Sequence, residues 1–503
     1  MLLLLLPLRS LAQGEELMVV RGNCTPVVLD DADNSHRAAR RLPEINTSWD
    51  ATKTYKQLVI LLSFSDTDFK EEHTTEYYDK LFNKEGFNER NGAGCVADYY
   101  RMQSGGLFNL QFDVYGPYKV STIACPDPDN NYYGRDAMSE ATNMLIAEHP
   151  EIDFSQYDWN GDGNVNQVVF IHAGISGNIS GNKGYIWPNT GRFSSVTTPD
   201  GKRISSCTIS AENFTNTISC GIGTICHEFT HSLGLPDIYP TNKTQGYSVC
   251  DEWDLMDGGN FTNYGWCPPN FTALEKYLLG WLEFTDLEGA ASITDLKPSA
   301  DGGEVYRIKH SDSEWLLLEN RQQKDWDAGA PGKGLVIYHV NYDGYVWLGN
   351  SVNNDRTKRR FYLVPADNMD YDAWTEYRKE NGLSNYAHSS RMNSRYLSTS
   401  PYPYITEEVV NNELTDTSTP AAVMHYPDGA LLGKPITNIR MSKDGLVSFD
   451  FMGGNPSGIR EIQTSDFRFH DYYGLQGRRV DNPQQGNLYI VRTSQGIRKQ
   501  LYR

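Results

Sequence analysis

Apolar residues in the first third of the chain follow two patterns, an unbroken run and an alternation, and each predicts a different kind of strand. Leu58-Val59-Ile60-Leu61-Leu62-Ser63-Phe64 is a continuous run of strand length, as expected for a strand covered on both faces. Leu107-Phe108-Asn109-Leu110-Gln111-Phe112-Asp113-Val114-Tyr115 alternates, the pattern of a half-buried strand. Val168-Val169-Phe170-Ile171 predicts a further strand. Helical spacing predicts helices around Thr75–Phe82, Cys95–Gln103 and residues 135–148. After about residue 285 the pattern changes. Val305–Ile308, Trp315–Leu318, Leu335–Val340 and Arg360–Val364 are short β-type runs separated by Gly, Asp and Asn turns. The expected fold class is α+β: a twisted sheet with helices, then a β-rich, sandwich-like module. No repeat of fixed period interrupts this order.

Between the two regions lies His227-Glu228-Phe229-Thr230-His231-Ser232-Leu233-Gly234-Leu235-Pro236-Asp237, which reads H-E-x-x-H-x-x-G-x-x-D. On a helix, residues i and i+4 stand about 40° apart on one face, so His227 and His231 can reach a single ion. Glu228 points roughly a quarter-turn away, better placed for water on the metal than for the metal itself. Gly234 allows the helix to end sharply, and the returning chain offers Asp237 as third ligand. Three protein ligands leave zinc a fourth position, as hydrolysis requires. Glu252 or Asp251 remains a rival third ligand. Ile222, Ile225, Cys226, Phe229 and Leu233 give the helix an apolar face, and Ser219 is its expected cap.

Composition narrows the class. The 503 residues suffice for two to four domains. Net charge is −19, which argues against nucleic acid or an anionic membrane as main partner. No internal apolar run reaches the roughly 18 residues a membrane span needs. The apolar stretch Met1–Leu8 followed by Ser10-Leu11-Ala12 reads as a signal peptide over residues 1–12, and residues 13–52 as an N-terminal arm or pro-segment. Eight cysteines are compatible with up to four disulfides in an oxidising compartment. A Cys250–Cys267 bridge would clamp the segment beneath the metal, whereas Cys226 could be a buried thiol.

Two further motifs flank the metal helix. Asp158, Asn160, Asp162, Asn164 and Asn166 place oxygen-bearing side chains on alternate residues, with Gly163 at the turn, as in the first nine positions of a calcium loop. The twelfth position is Val169, which cannot supply the closing carboxylate, so a polar turn leading into the next strand is the competing reading. Trp253-Asp254-Leu255-Met256-Asp257-Gly258-Gly259 can set Met256 as an apolar floor under the metal and its imidazoles.

Together these pieces resemble the immune inhibitor A family of secreted bacterial metallopeptidases, a metzincin-like group. The resemblance runs from about residue 57 to 365. It includes Asp98-Tyr99-Tyr100-Arg101, Ser104–Phe108, the 158–166 loop, His227–Asp237, Leu255-Met256, Leu279-Gly280-Trp281, Leu318–Gln322 and Gly334–His339. Separately, Gly474–Val480 and Gly486–Val491 are similar to the β sorting tails of proteins exported by type IX secretion in Bacteroidota. The resemblances imply residues 53–285 as a zinc peptidase domain, 286–455 as a β-rich accessory domain, and 456–503 as a C-terminal β sorting domain that engages secretion machinery. The implied protein is extracellular, acts on protein or peptide substrates, and holds zinc with a structural calcium. Glu228 would serve as general base and acid; Tyr239 and Tyr264 read first as packing residues, with help to the oxyanion as the competing role. For Cys24, a disulfide partner is the plainer reading, and a thiolate masking the zinc its competitor. The competing function is a calcium-dependent surface adhesin with a vestigial metal site, which an intact Glu228 disfavours.

Overall fold

The computed structural model describes residues 49–242, 249–382, 397–424, 429–454, 471–473, 479–480, 483–493 and 496–501. Residues 1–48 with Cys24, and 474–478 of the tail motif, lie outside them. The first region runs β1 (Thr54–Ser63), α1 (Thr75–Asn83), α2 (Val96–Gln103), β2 (Asn109–Lys119), α3 (Arg135–Glu148), β3 (Val168–Ile175), α4 (Gly177–Ser180), β4 (Asn189–Thr197), β5 (Arg203–Thr215), β6 (Ile218–Ser219) and α5 (Gly223–Ser232). The strands form one sheet in the order β2-β1-β3-β5-β4, with β6 pairing β5. β1 pairs in parallel with β2 and β3, and β3 with β5, while β4 is antiparallel to β5.

The unbroken apolar run of β1 follows from its central place. Val59 and Leu61 point into a core shared with Tyr99, Tyr100 and Phe229. Leu58, Ile60 and Leu62 point the other way, against Met138 and Leu145 of α3. Helices therefore cover both faces, and α5 lies on the face carrying α2. Cys95 caps α2, its Sγ accepting from the Asp98 amide. Ser219 corrects the expectation for α5. It lies in β6 and its hydroxyl donates to Glu89 at 3.0 Å, while α5 begins after Ile222 with no side-chain cap. A glycine turn replaces the cap, because the chain there is pressed against the loop that follows the Met turn. A Cβ on Gly223 would stand 2.1 Å from the Asn260 carbonyl oxygen.

The second region comprises α6 (Ala273–Leu278), β7 (Thr285–Asp286), β8 (Ala291–Leu296), β9 (Tyr306–Lys309), β10 (Glu314–Arg321), β11 (Gly334–Asn341), α7 (Gly344–Leu348), β12 (Phe361–Leu363), α8 (Tyr371–Glu380), β13 (Tyr404–Ile405), β14 (Val410–Asn411), β15 (Ile436–Met441) and β16 (Val447–Phe451). One sheet is ordered β12-β11-β10-β9-β7 and a smaller one β15-β16-β8. Alternation along β10 divides its contacts. Leu316 and Leu318 face the small sheet, whereas Trp315 and Leu317 join the core that holds Phe229 and Met256. The larger sheet is thus a wall common to both regions. Near the C-terminus, β17 (Asp471–Tyr473), β18 (Arg479–Val480), β19 (Leu488–Thr493) and β20 (Gly496–Leu501) pair antiparallel in the order β18-β17-β19-β20. No helix among the described residues is long and apolar enough to cross a membrane.

Candidate metal centre

Gly223 to His231 of α5 are all buried, so its polar side chains must find partners inside the protein. Nδ1 of His227 donates to the Leu255 carbonyl and Nδ1 of His231 to the Leu235 carbonyl, each at 2.8 Å. A carbonyl can only accept, so both rings carry their proton on Nδ1 when neutral and turn Nε2 towards the common cavity. The ring centroids are 4.9 Å apart and nearly perpendicular. Gly234 follows with φ +103°, in the region open to glycine, and turns the chain back. That turn delivers Asp237, whose Oδ1 lies 3.2 Å from His227 Nε2 and 3.3 Å from His231 Nε2.

These three form the one group of three or more ligand-type side chains with converging donor atoms among the described residues, all within 4.8 Å of one another. Asp251 and Glu252 are buried but belong to no such group. The donor set fits a divalent metal by two independent signs. His231 Nε2 and Asp237 Oδ1 are buried without a hydrogen-bond partner, a costly state for polar atoms unless something else binds them. The electrostatics agree. Burial opposes charge on His231, yet the Asp237 carboxylate pulls its pKa up to about 9. Burial likewise opposes charge on Asp237, and the two imidazoles hold it well below the ordinary carboxylate range. The point where the three atoms meet favours positive charge.

Glu228, one residue after His227, lines a small pocket with His227, Trp187, Tyr239, Asn260 and Phe261. Thr190 of β4 donates to the Glu228 carbonyl and has its hydroxyl 3.3 Å from Oε2, tying the helix to the sheet edge. Tyr239 stacks at 6.4 Å from the His227 ring. Tyr264 instead packs on Phe214 and beneath Arg90, outside that pocket. Met256 is fully buried, and its carbonyl accepts from Ile238 at 2.8 Å, just after Asp237. Two side chains that serve the site were missed from sequence, Thr190 and Asn350. Asn350 donates through Nδ2 to Asp237 Oδ2 at 2.8 Å and accepts from the Asp237 amide at 2.7 Å. A run of polar loop residues 113 positions downstream gives no local signal for such a contact.

The remaining candidates lie elsewhere. Asp158 Oδ1 accepts from the Gly161 and Asp162 amides, and Oδ2 from Gly163 and from Lys202 Nζ at 2.7 Å. Asp162 takes the Asn164 amide and bonds Asn160, while Asn166 caps Trp159. These oxygens stabilise a turn leading into β3, an arrangement that gives the calcium expectation no support. The disulfide expectation is corrected: all seven described cysteines are unpaired. Cys267 Sγ faces the Asn91 carbonyl at 3.4 Å, whereas Cys250 is sealed in the core, so no Cys250–Cys267 bridge clamps the site. Cys226 is a buried thiol, as the alternative reading had it.

Two imidazoles and a carboxylate with an adjacent glutamate on a buried helix form a donor set of the kind that can hold a metal ion beside a base. In comparison with known proteins, residues 46–281 match the family described as Immune inhibitor A peptidase M6, catalytic domain. The chain is 25% identical over 519 residues to a protein named Pre-pro-metalloprotease PrtV from Vibrio cholerae serotype O1 (strain M66-2), covering 88% of this chain and 55% of that one. It is 26% identical over 388 residues to Immune inhibitor A from Bacillus thuringiensis subsp. alesti, covering 65% and 54% respectively. The chain spans about half the length of the curated relatives it matches.

Proposed function

We propose that this chain is a secreted zinc-dependent endopeptidase, with His227, His231 and Asp237 as metal ligands and Glu228 as general base and acid. One observation carries the reading. Three buried donor atoms from α5 and the turn after it converge beside a glutamate that lines a pocket. A set of two histidines and one carboxylate suits a catalytic site, since closed structural sites use four Cys or His ligands. Bound there, zinc would supply Lewis acidity that makes water acidic and polarises a carbonyl. The protein supplies the rest. Glu228 accepts a proton from the attacking water and returns it to the departing amine, which then leaves neutral. Thr190 anchors the backbone of Glu228 to β4, so its carboxylate keeps its place on the pocket wall. Tyr239, beside His227, is the better placed of the two tyrosines to donate to a developing oxyanion. The apolar leader and the tail motif support export, with protein or peptide substrates outside the cell.

Incubating the purified protein with casein, alone, with a chelator, and with chelator followed by zinc, tests the proposal. Cleavage that stops on chelation and returns with zinc is the expected result. No cleavage under any of the three conditions, or cleavage indifferent to chelation, contradicts it.

A further inference from the structure

We infer that Asn350, which lies beyond the peptidase-family match, is a positioning residue for the metal centre. The inference rests on the zinc reading above and adds what holds the third ligand in place.

The two oxygens of Asp237 have different surroundings. Oδ1 faces His227 and His231 at 3.2 and 3.3 Å and has no hydrogen bond. Oδ2 accepts from Asn350 Nδ2 at 2.8 Å, and the Asp237 amide donates to Asn350 Oδ1 at 2.7 Å. One carboxamide therefore grips both the backbone and the side chain of a single residue. The pairing also fixes which end of the amide is which, because the amide N–H needs an acceptor and the carboxylate a donor. The consequence is rotational. With Oδ2 held, the carboxylate cannot swing about its Cβ–Cγ bond, and Oδ1 stays pointed at the imidazoles. A neutral donor also leaves the full negative charge on Asp237, which a lysine or arginine at this place would offset.

Asn350 is itself held. It is buried, and its φ of +50° lies in the left-handed region that Asn tolerates better than most residues. Its amide donates to the Trp347 carbonyl at the end of α7, and Trp347 is buried against Tyr342. Its carbonyl accepts from Thr241 at 2.6 Å. Further along, Asn353 Nδ2 donates to the Ile238 carbonyl at 2.8 Å, and Asn354 Oδ1 accepts from the Thr241 amide at 2.7 Å. Asn350, Asn353 and Asn354 thus join this loop to the segment 237–242 at three points. The family match ends at residue 281, so the matched segment alone lacks this support.

The test uses the full chain with zinc as probe. Zinc affinity is measured by competition with a chromophoric chelator, and ligand geometry by the visible spectrum of the cobalt-substituted protein. N350A removes both bonds. N350D keeps an acceptor for the Asp237 amide but loses the donor and sets a like charge against Oδ2. N354A cuts the same seam without touching Asp237. Partners of ligating carboxylates contribute about 10–100-fold to metal affinity. N350A and N350D are expected to weaken zinc binding by about that factor and to alter the cobalt spectrum, with N354A within about twofold of wild type. Circular dichroism of the chelated proteins shows which variants fold. Should N350A not fold, N350D, which retains one of the two bonds, carries the comparison. Wild-type binding of zinc with N350A and N350D unchanged, or with N354A equally impaired, overturns this inference and leaves the zinc reading standing. A wild-type protein that binds no zinc removes both.

Discussion

Nδ1 of His227 donates to the carbonyl of Leu255 at 2.8 Å, so the turn that carries Met256 decides which nitrogen of the first imidazole faces the donor cluster. The turn is pinned from both sides. The Met256 amide donates to Asp254 Oδ1 at 2.7 Å, and its carbonyl accepts from Ile238 at 2.8 Å. The side chain is fully buried, in the core cluster that also holds Phe229 of α5. M256A is expected to cost about 2–5 kcal/mol in denaturant unfolding, because a cavity opens where the neighbours cannot collapse. M256L, which nearly conserves volume, should cost less than about 1.5 kcal/mol. Equal stability of M256A and wild type would contradict this packing.

Beneath that turn, Asp254 meets Glu275 in the core, and Asp254 Oδ2 and Glu275 Oε1 have no hydrogen-bond donor among their neighbours. Burial pushes Asp254 well above the ordinary carboxylate range, and the Glu275 charge adds to it. Burial raises Glu275 too, against the hydrogen bonds from Thr272. The folded state therefore binds protons that the unfolded chain releases. The stability this contributes is complete below ordinary carboxylate pKa values and is lost as pH rises through the raised ones. The melting midpoint of the wild type should fall on the alkaline side, and D254N, which cannot lose that proton, should show a flatter profile. Parallel profiles would count against a raised Asp254 carboxyl in the folded state.

Arg321 ties the two regions together. It is fully buried, pairs with Asp327, and donates to the carbonyls of Trp253 at 2.6 Å and Asn270 at 3.2 Å. Removing one partner of a buried pair strands the other, so D327N should cost about 3–5 kcal/mol in urea unfolding. A loss below about 1 kcal/mol, the scale of an exposed pair, would show that water reaches the guanidinium.

Unpaired cysteines carry their own consequence. With all seven described thiols free, a reducing agent should leave the melting midpoint where it was. A clear drop on reduction would reveal a bridge.

The sequence made the central sheet legible where burial was two-sided or regular. β1 is an apolar run because helices cover both its faces, and β2 shows alternation in its first half. β4 and β5 escaped notice because they are rich in Ser, Thr and Asn. β5 is nevertheless buried along most of its length, since it lies between β3 and β4 and its polar groups bond within the fold. The helix carrying His227 and His231 was legible because an i, i+4 spacing is set by helical geometry alone. Its start was not, because Gly221 and Gly223 answer to a close approach from residues 260–266 that no local pattern reveals. Asn350 was invisible for the same reason, since its role arises only when α7 is brought against the turn after α5. The Cys250–Cys267 bridge failed because clustering in sequence says nothing of which way each thiol points.

The measurement that bears most directly on the central claim pairs zinc content with proteolysis in E228Q. The substitution keeps the size and pocket position of Glu228 and leaves His227, His231 and Asp237 untouched. The account predicts one zinc ion per chain in both wild type and variant, with casein cleavage by E228Q lower by orders of magnitude. Undiminished cleavage by a zinc-loaded E228Q would contradict it.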